Sequence, residues 1–88
     1  MTLDGEAPPA TGIAVALFPD AEELDWAGPW EVLSYWARKF PEDNVEVFTV
    51  VQREGLVRCA KGLRVLPDHT WQTAPAIDVL VRARRPER

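Results

Sequence analysis

The stretch that decides the fold runs from Phe18 to Phe40, F-P-D-A-E-E-L-D-W-A-G-P-W-E-V-L-S-Y-W-A-R-K-F. An apolar run, Ile13 to Phe18, stops at Pro19; an acidic loop follows, and Gly28-Pro29 then marks a helix whose first turn carries Glu31. That order is a β-loop-α unit. Pro29 suits the first helical position, because its fixed φ is already helical and its missing N–H would have no intrahelical partner there. The same proline pushes Gly28 toward extended geometry, so the spacing predicts a helix from Pro29 to about Lys39 that begins no earlier. Asp25 is thereby expected in the loop, near the point where the strand ends and the helix begins. In open α/β sheets, ligands and catalytic groups gather at that point.

Working outward, Ile13 to Phe18 (I-A-V-A-L-F) is apolar at every position, as expected of a parallel strand covered on both faces. The helix places Trp30, Leu33, Ala37 and Phe40 at helical spacing with Val32 and Trp36 beside them, leaving Glu31, Ser34, Arg38 and Lys39 for the wet arc. Its apolar arc is wider than one sheet face covers, which points to an interface at Trp30 or Trp36. Pro41 ends the helix, Glu42-Asp43-Asn44 turns the chain, and Val45 to Val51 reads as a second strand. Leu56 to Cys59 and Leu63 to Leu66, joined by Ala60-Lys61-Gly62, predict a small hairpin. Pro67-Asp68-His69-Thr70 is expected to be a turn, Thr73 to Ala76 a connector, and Ile77 to Val81 a further buried strand.

The expected organisation is therefore a lead-in over 1–12, a folded α/β unit over 13–81 and a basic tail over 82–88. The lead-in holds two glycines and two prolines without apolar periodicity and is expected to be disordered. The tail, R-A-R-R-P-E-R, lacks the turn and helix that should follow a β/α strand and is expected to be disordered or translated out of frame. Three parallel strands and one helix cannot cover both faces of a sheet, so the bare face is expected to meet another part of a larger protein or another chain.

Composition narrows the function. A chain of 88 residues is one small domain at most, with a thin stability margin. Its net charge is −4, but residues 1–81 alone carry −7, which argues against nucleic acid as the partner of the main body. The single cysteine, Cys59, and single histidine, His69, exclude an internal disulfide framework and a cysteine-rich zinc site. No cofactor or metal is expected. No apolar run is long enough to span a bilayer and no secretory signal is present, so the expected location is cytoplasmic, without a membrane partner.

The order I-A-V-A-L-F-P, L-D-W-A-G-P-W-E-V-L, V-E-V-F-T-V-V, G-L-R-V-L-P-D-H-T-W and A-I-D-V-L-V resembles the N-terminal part of the ThiJ/PfpI superfamily, in the class I glutamine amidotransferase-like group. The closest flavour is the isonitrile hydratase-like branch, also found as the small-molecule-sensing domain of AraC-type transcription regulators. The resemblance covers roughly Gly12 to Val81 and implies a flavodoxin-like, mostly parallel sheet, here strand-helix-strand-hairpin-strand and incomplete. In the family a Pro-Gly-Gly turn follows the strand matching Ile77 to Val81, and an elbow carrying a cysteine nucleophile comes later; neither is in this chain. The replacement by an arginine-rich tail resembles a wrong reading frame or a truncated gene. Cys59 precedes the last strand and does not match the nucleophile.

Asp25 matches the family's acidic residue after the first strand, which the resemblance places beside the nucleophilic cysteine. A carboxyl partly buried beside a thiolate would hold its proton more tightly and serve as general acid and base. The plainer reading is that Asp25 braces the helix N-terminus, a contribution of about 0.3–1 kcal/mol. His69 reads as a turn histidine before it reads as a base, and Glu22 and Glu23 read as a solvated loop face. Trp26, Trp30, Trp36 and Trp71 read as core or interface before they read as a pocket lining. Two functions follow from the resemblance: an enzyme in which Asp25 assists a cysteine this chain lacks, or the first half of a sensing domain whose ligand is unknown. Self-association through the first helix and the uncovered sheet face is expected, since an exposed apolar face seeks cover.

Overall fold

The computed structural model describes residues 8–83; the first seven and last five residues of the expected lead-in and tail lie outside that range. The elements in chain order are β1 Thr11–Ala16, α1 Glu23–Lys39, a 3-10 turn Pro41–Asp43, β2 Val45–Val51, β3 Val57–Arg58, β4 Arg64–Val65, β5 His69–Thr70 and β6 Val79–Arg82. Four strands form one sheet in the order β5-β2-β1-β6, and every pairing in it is parallel. β1 is the inner strand that its unbroken apolar sequence demands, with Ile13 to Ala16 buried between β2 and β6. It begins at Thr11, so Thr11 and Gly12 of the expected lead-in are sheet residues, while Phe18 lies beyond the strand. The hairpin is β3 and β4, antiparallel, with Val57 opposite Val65.

The helix departs from expectation. It starts at Glu23, so Pro29 lies inside it and Asp25 lies in its first turn rather than in a loop. An internal proline removes one helical hydrogen bond and costs about 3 kcal/mol. Gly28 lessens the clash, because without a Cβ it removes one of the contacts that push a pre-proline residue out of helical geometry. Trp26 supplies the offset: it is only 7% exposed, and truncating a buried tryptophan costs about 3–5 kcal/mol. Tertiary burial thus outweighs the local rule.

His69 and Thr70 correct a second expectation, because they form an edge strand beside Val50 and Val51 rather than a turn. The last strand begins at Val79, after Ile77 and Asp78, and extends to Arg82, which pairs with Ala16. Ala83 is buried, so the first two residues of the expected tail belong to the fold.

Two aspartates complete the sheet. Asp68 Oδ2 accepts from the Thr49 backbone N–H at 2.9 Å and from the Thr49 hydroxyl at 3.2 Å, while the Asp68 N–H donates back to Thr49 Oγ1 at 2.8 Å. Asp78 Oδ2 accepts from the Gly12 N–H at 2.8 Å, and its own N–H donates to the Gly12 carbonyl at 2.8 Å. Each sits just before an edge strand and supplies the acceptor that a longer strand would have supplied.

The core lies mainly on the helix side of the sheet. Val15, Leu17 and Val51 pack there with Ala21 and Trp26, and with Val57 and Cys59 from the hairpin. The opposite face carries Ala14, Ala16, Phe48 and Val50, against which Ala74 and Ile77 of the 71–78 connector are packed.

Candidate functional site

Asp25 lies at the end of the sheet where β1 and β2 hand over to loops. After β1 the chain turns at Asp20, whose φ is 70°, and enters α1. The hairpin holds this entry: the Asp20 N–H donates to the Arg58 carbonyl at 2.9 Å and the Ala60 N–H donates to the Ala21 carbonyl at 2.9 Å. Glu23 tightens the join. Its carboxylate accepts from the backbone N–H of Lys61 at 2.8 Å and of Leu63 at 3.2 Å, and the Lys61 ammonium pairs with Glu22. Glu22 and Glu23, expected as a solvated loop face, are thus the clasp between helix and hairpin.

The electrostatics follow from these contacts. Desolvation pulls the Glu23 carboxyl up, but the N–H groups of Glu23, Leu63 and Lys61 and the Lys61 charge outweigh it and hold it below the ordinary carboxylate range. The hydrogen bond to Glu22 pushes the Lys61 ammonium up; desolvation opposes this, and the charges of Glu22, Glu23 and Asp25 add to it. Asp25 itself is exposed, and its carboxylate makes no hydrogen bond or ion pair with any described residue. Its charge nonetheless adds to the upward push on the Lys61 ammonium.

The remaining candidates are not gathered around Asp25. Cys59 is 2% exposed in the core. Burial pushes its thiol up, opposed by the adjacent Trp26 indole N–H and reinforced by the Glu23 charge, so it stays protonated and inert. Trp26 Nε1 has no acceptor of hydrogen-bonding geometry among the described residues. His69 packs edge-on against Phe48, ring centroids 5.4 Å apart, on the far side of β2 from β1. Trp36 donates to Asp43 Oδ2 at 2.7 Å, while Trp30 and Trp71 are partly open to solvent. No three His, Cys, Asp or Glu side chains among the described residues are placed to hold a metal ion, and no described helix is long and apolar enough to cross a membrane.

A cleft of about 570 Å³ opens at the C-terminal ends of β1 and β2. Leu17, Phe18, Val51, Leu56 and Val57 give it apolar walls, and Gln52, Arg53 and Glu54 give it a polar rim. Asp25 does not line it. Sequence reasoning missed Asp68 and Asp78, whose signal was faint: a carboxylate immediately before a short β-like run, in Asp68-His69-Thr70 and Asp78-Val79-Leu80.

No family model and no curated protein matches this sequence. Solved structures do. A DJ-1 superfamily protein from Agrobacterium tumefaciens superposes with a TM-score of 0.60 at 27% identity, over 85% of this chain and 38% of that one. A ThiJ/PfpI family protein from Pseudomonas syringae superposes with a TM-score of 0.63 at 20% identity, over 93% of this chain and 37% of that one. The chain is therefore similar to DJ-1 and ThiJ/PfpI superfamily structures in its α/β, mostly parallel fold, and it spans little more than a third of the length of either protein.

Proposed function

We propose that these residues form the N-terminal part of a ThiJ/PfpI-type domain of the isonitrile hydratase-like branch, in which Asp25 is the acidic partner of a cysteine carried by the rest of the domain. The observation that carries this reading is the state of Asp25: a carboxylate in the first turn of the helix that follows β1, exposed and without a partner among the described residues. Glu22 and Glu23, its neighbours, are both engaged by the hairpin. In the assembled site Asp25 would donate or accept the proton that moves as the thiolate attacks, and it would do so from a helix whose start is fixed.

The test is complementation. The chain alone should not hydrate an isonitrile; mixed with the cysteine-bearing remainder of a ThiJ/PfpI domain it should, and Asp25→Asn in that mixture should lower kcat by about 10²-fold or more, within the usual range of a lost general acid or base. Full activity of the Asp25→Asn mixture contradicts the role.

A second reading, the first half of the sensing domain of an AraC-type regulator, is supported by the cleft at the ends of β1 and β2. None of its lining residues is a cysteine, serine or threonine. Saturable ligand binding without turnover in the complemented domain would favour it. Either way, the apolar surface of α1 and the second sheet face make self-association part of the proposal.

A further inference from the structure

α1 packs against β2 and β1. Between its buried side and strands β2 and β4 runs a groove made of two adjoining clefts that share Trp30 and Asp68. The cleft of about 280 Å³ is walled by Trp26, Ala27, Trp30, Val65 and Leu66, and its one ionisable lining residue is Asp68. Thr49 lies at its floor. It meets β2 at Thr49, the adjoining cleft meets it at Val47, and Asp25 lines neither.

The chemistry of this lining is specific. Two indoles line it, and their rings are electron-rich, with the aliphatic side chains of Ala27, Val65 and Leu66 beside them. Asp68 Oδ2 is spent on Thr49, but its Oδ1 makes no hydrogen bond with a described residue. An aromatic pair with a carboxylate that has spare acceptor capacity complements a positive charge carried on an apolar body. An anion would face the Asp68 charge in both clefts. We propose that this groove binds a small organic cation, an alkyl- or quaternary ammonium, with its charged head against Trp30 and Asp68 and its apolar groups against Ala27, Val65 and Leu66. The volume suits a ligand of several heavy atoms rather than a drug-sized one.

Arg38 is the internal competitor. It lines the adjoining cleft of about 330 Å³ together with Asp68 and Trp30, yet no ion pair joins Arg38 to Asp68 among the described residues. The groove thus holds its own cation nearby but unengaged, and a ligand has to displace only a solvated guanidinium.

The probe is choline, with its neutral carbon analogue dimethylbutanol as control, titrated into the isotope-labelled chain while the indole N–H resonances of Trp26 and Trp30 are followed. Choline should shift the Trp30 resonance saturably and bind about tenfold more tightly than the neutral analogue, the factor expected when a cation–π contact and a carboxylate together recognise the charge. Trp30→Ala, a change at a side chain 40% exposed, should weaken binding by about fivefold or more. Asp68→Asn keeps an oxygen for the Thr49 N–H and should weaken it likewise; should that variant fail to fold, Trp30→Ala carries the test alone. Arg38→Gln should tighten binding. Equal responses to choline and dimethylbutanol, a linear shift without saturation, or unchanged affinity in Trp30→Ala would each overturn the proposal.

Discussion

The two faces of the central sheet are built from equally apolar residues and end in different states. On the helix face, Val15, Leu17 and Val51 are closed over by Trp26 from α1 and by Val57 and Cys59 from the hairpin. On the other face, Ala14, Ala16, Phe48 and Val50 are buried under Ala74 and Ile77 from an irregular connector, and Leu80, next to Ala14 in the sheet, remains 48% exposed. The lesson is that strand sequence specifies how many faces are meant to be covered, whereas the elements a chain supplies decide what covers each. β1, apolar at every inner position, calls for two covers and has both, helix and hairpin on one face and an irregular connector on the other.

The contrast can be broken most forcefully on the closed face. Trp26→Ala removes the side chain that anchors α1 despite Pro29, and should cost about 3–5 kcal/mol, enough to abolish a cooperative melt in a domain this small. A Trp26→Ala chain that melts as the parent does would mean that the helix face is not the stabilising one.

The connector-covered face offers a narrower target. A Cβ on Gly12 would sit 2.0 Å from the Ala76 carbonyl oxygen, so Gly12→Ala forces the connector off the sheet. The same change strains the reciprocal Gly12–Asp78 bonds. Overpacking of this kind costs about 1–3 kcal/mol, and chemical denaturation should show it as a lowered midpoint. Amide exchange should rise around Ala74 to Asp78 while the hairpin stays protected; uniform loss of protection would make the two faces one cooperative unit.

Glu23→Gln sharpens the closed side with the smallest effect. The folded-state carboxyl is held below its ordinary range. Its contribution is therefore present above the unfolded value and is lost as pH falls through the folded one. The melting temperatures of parent and variant should differ at neutral pH and converge as the solution is acidified below the carboxylate range. A difference that persists in acid would assign the effect to packing instead.

Much of this was legible in the sequence, for identifiable reasons. β1 and β2 have long apolar runs whose meaning no neighbour can reverse, and the Gly-containing turn at Gly62 marks the hairpin, with φ at 98° where a side chain is disfavoured. The helix start was misread because the proline rule is local, while the anchors that override it, Trp26 and the bonds from Glu23 to Lys61 and Leu63, are tertiary. β5 was missed because two residues have no periodicity; His69 and Thr70 become a strand only by pairing with Val50 and Val51. Asp25 was legible as an acid following the first strand. Its surroundings were not, because the clasp beside it depends on where the hairpin turn lands.

That the connector covers the second sheet face only as far as β1 and leaves Leu80 of β6 open is tested most directly by size-exclusion chromatography with light scattering on the purified chain and on Leu80→Ser, with a thermal melt of each. Self-association of the parent that falls in Leu80→Ser, with melting little changed because an exposed position contributes within about 0.5 kcal/mol, is the predicted result. A cooperatively folded parent that runs as a monomer at every concentration would contradict it, because the exposed Leu80 edge would then need no cover.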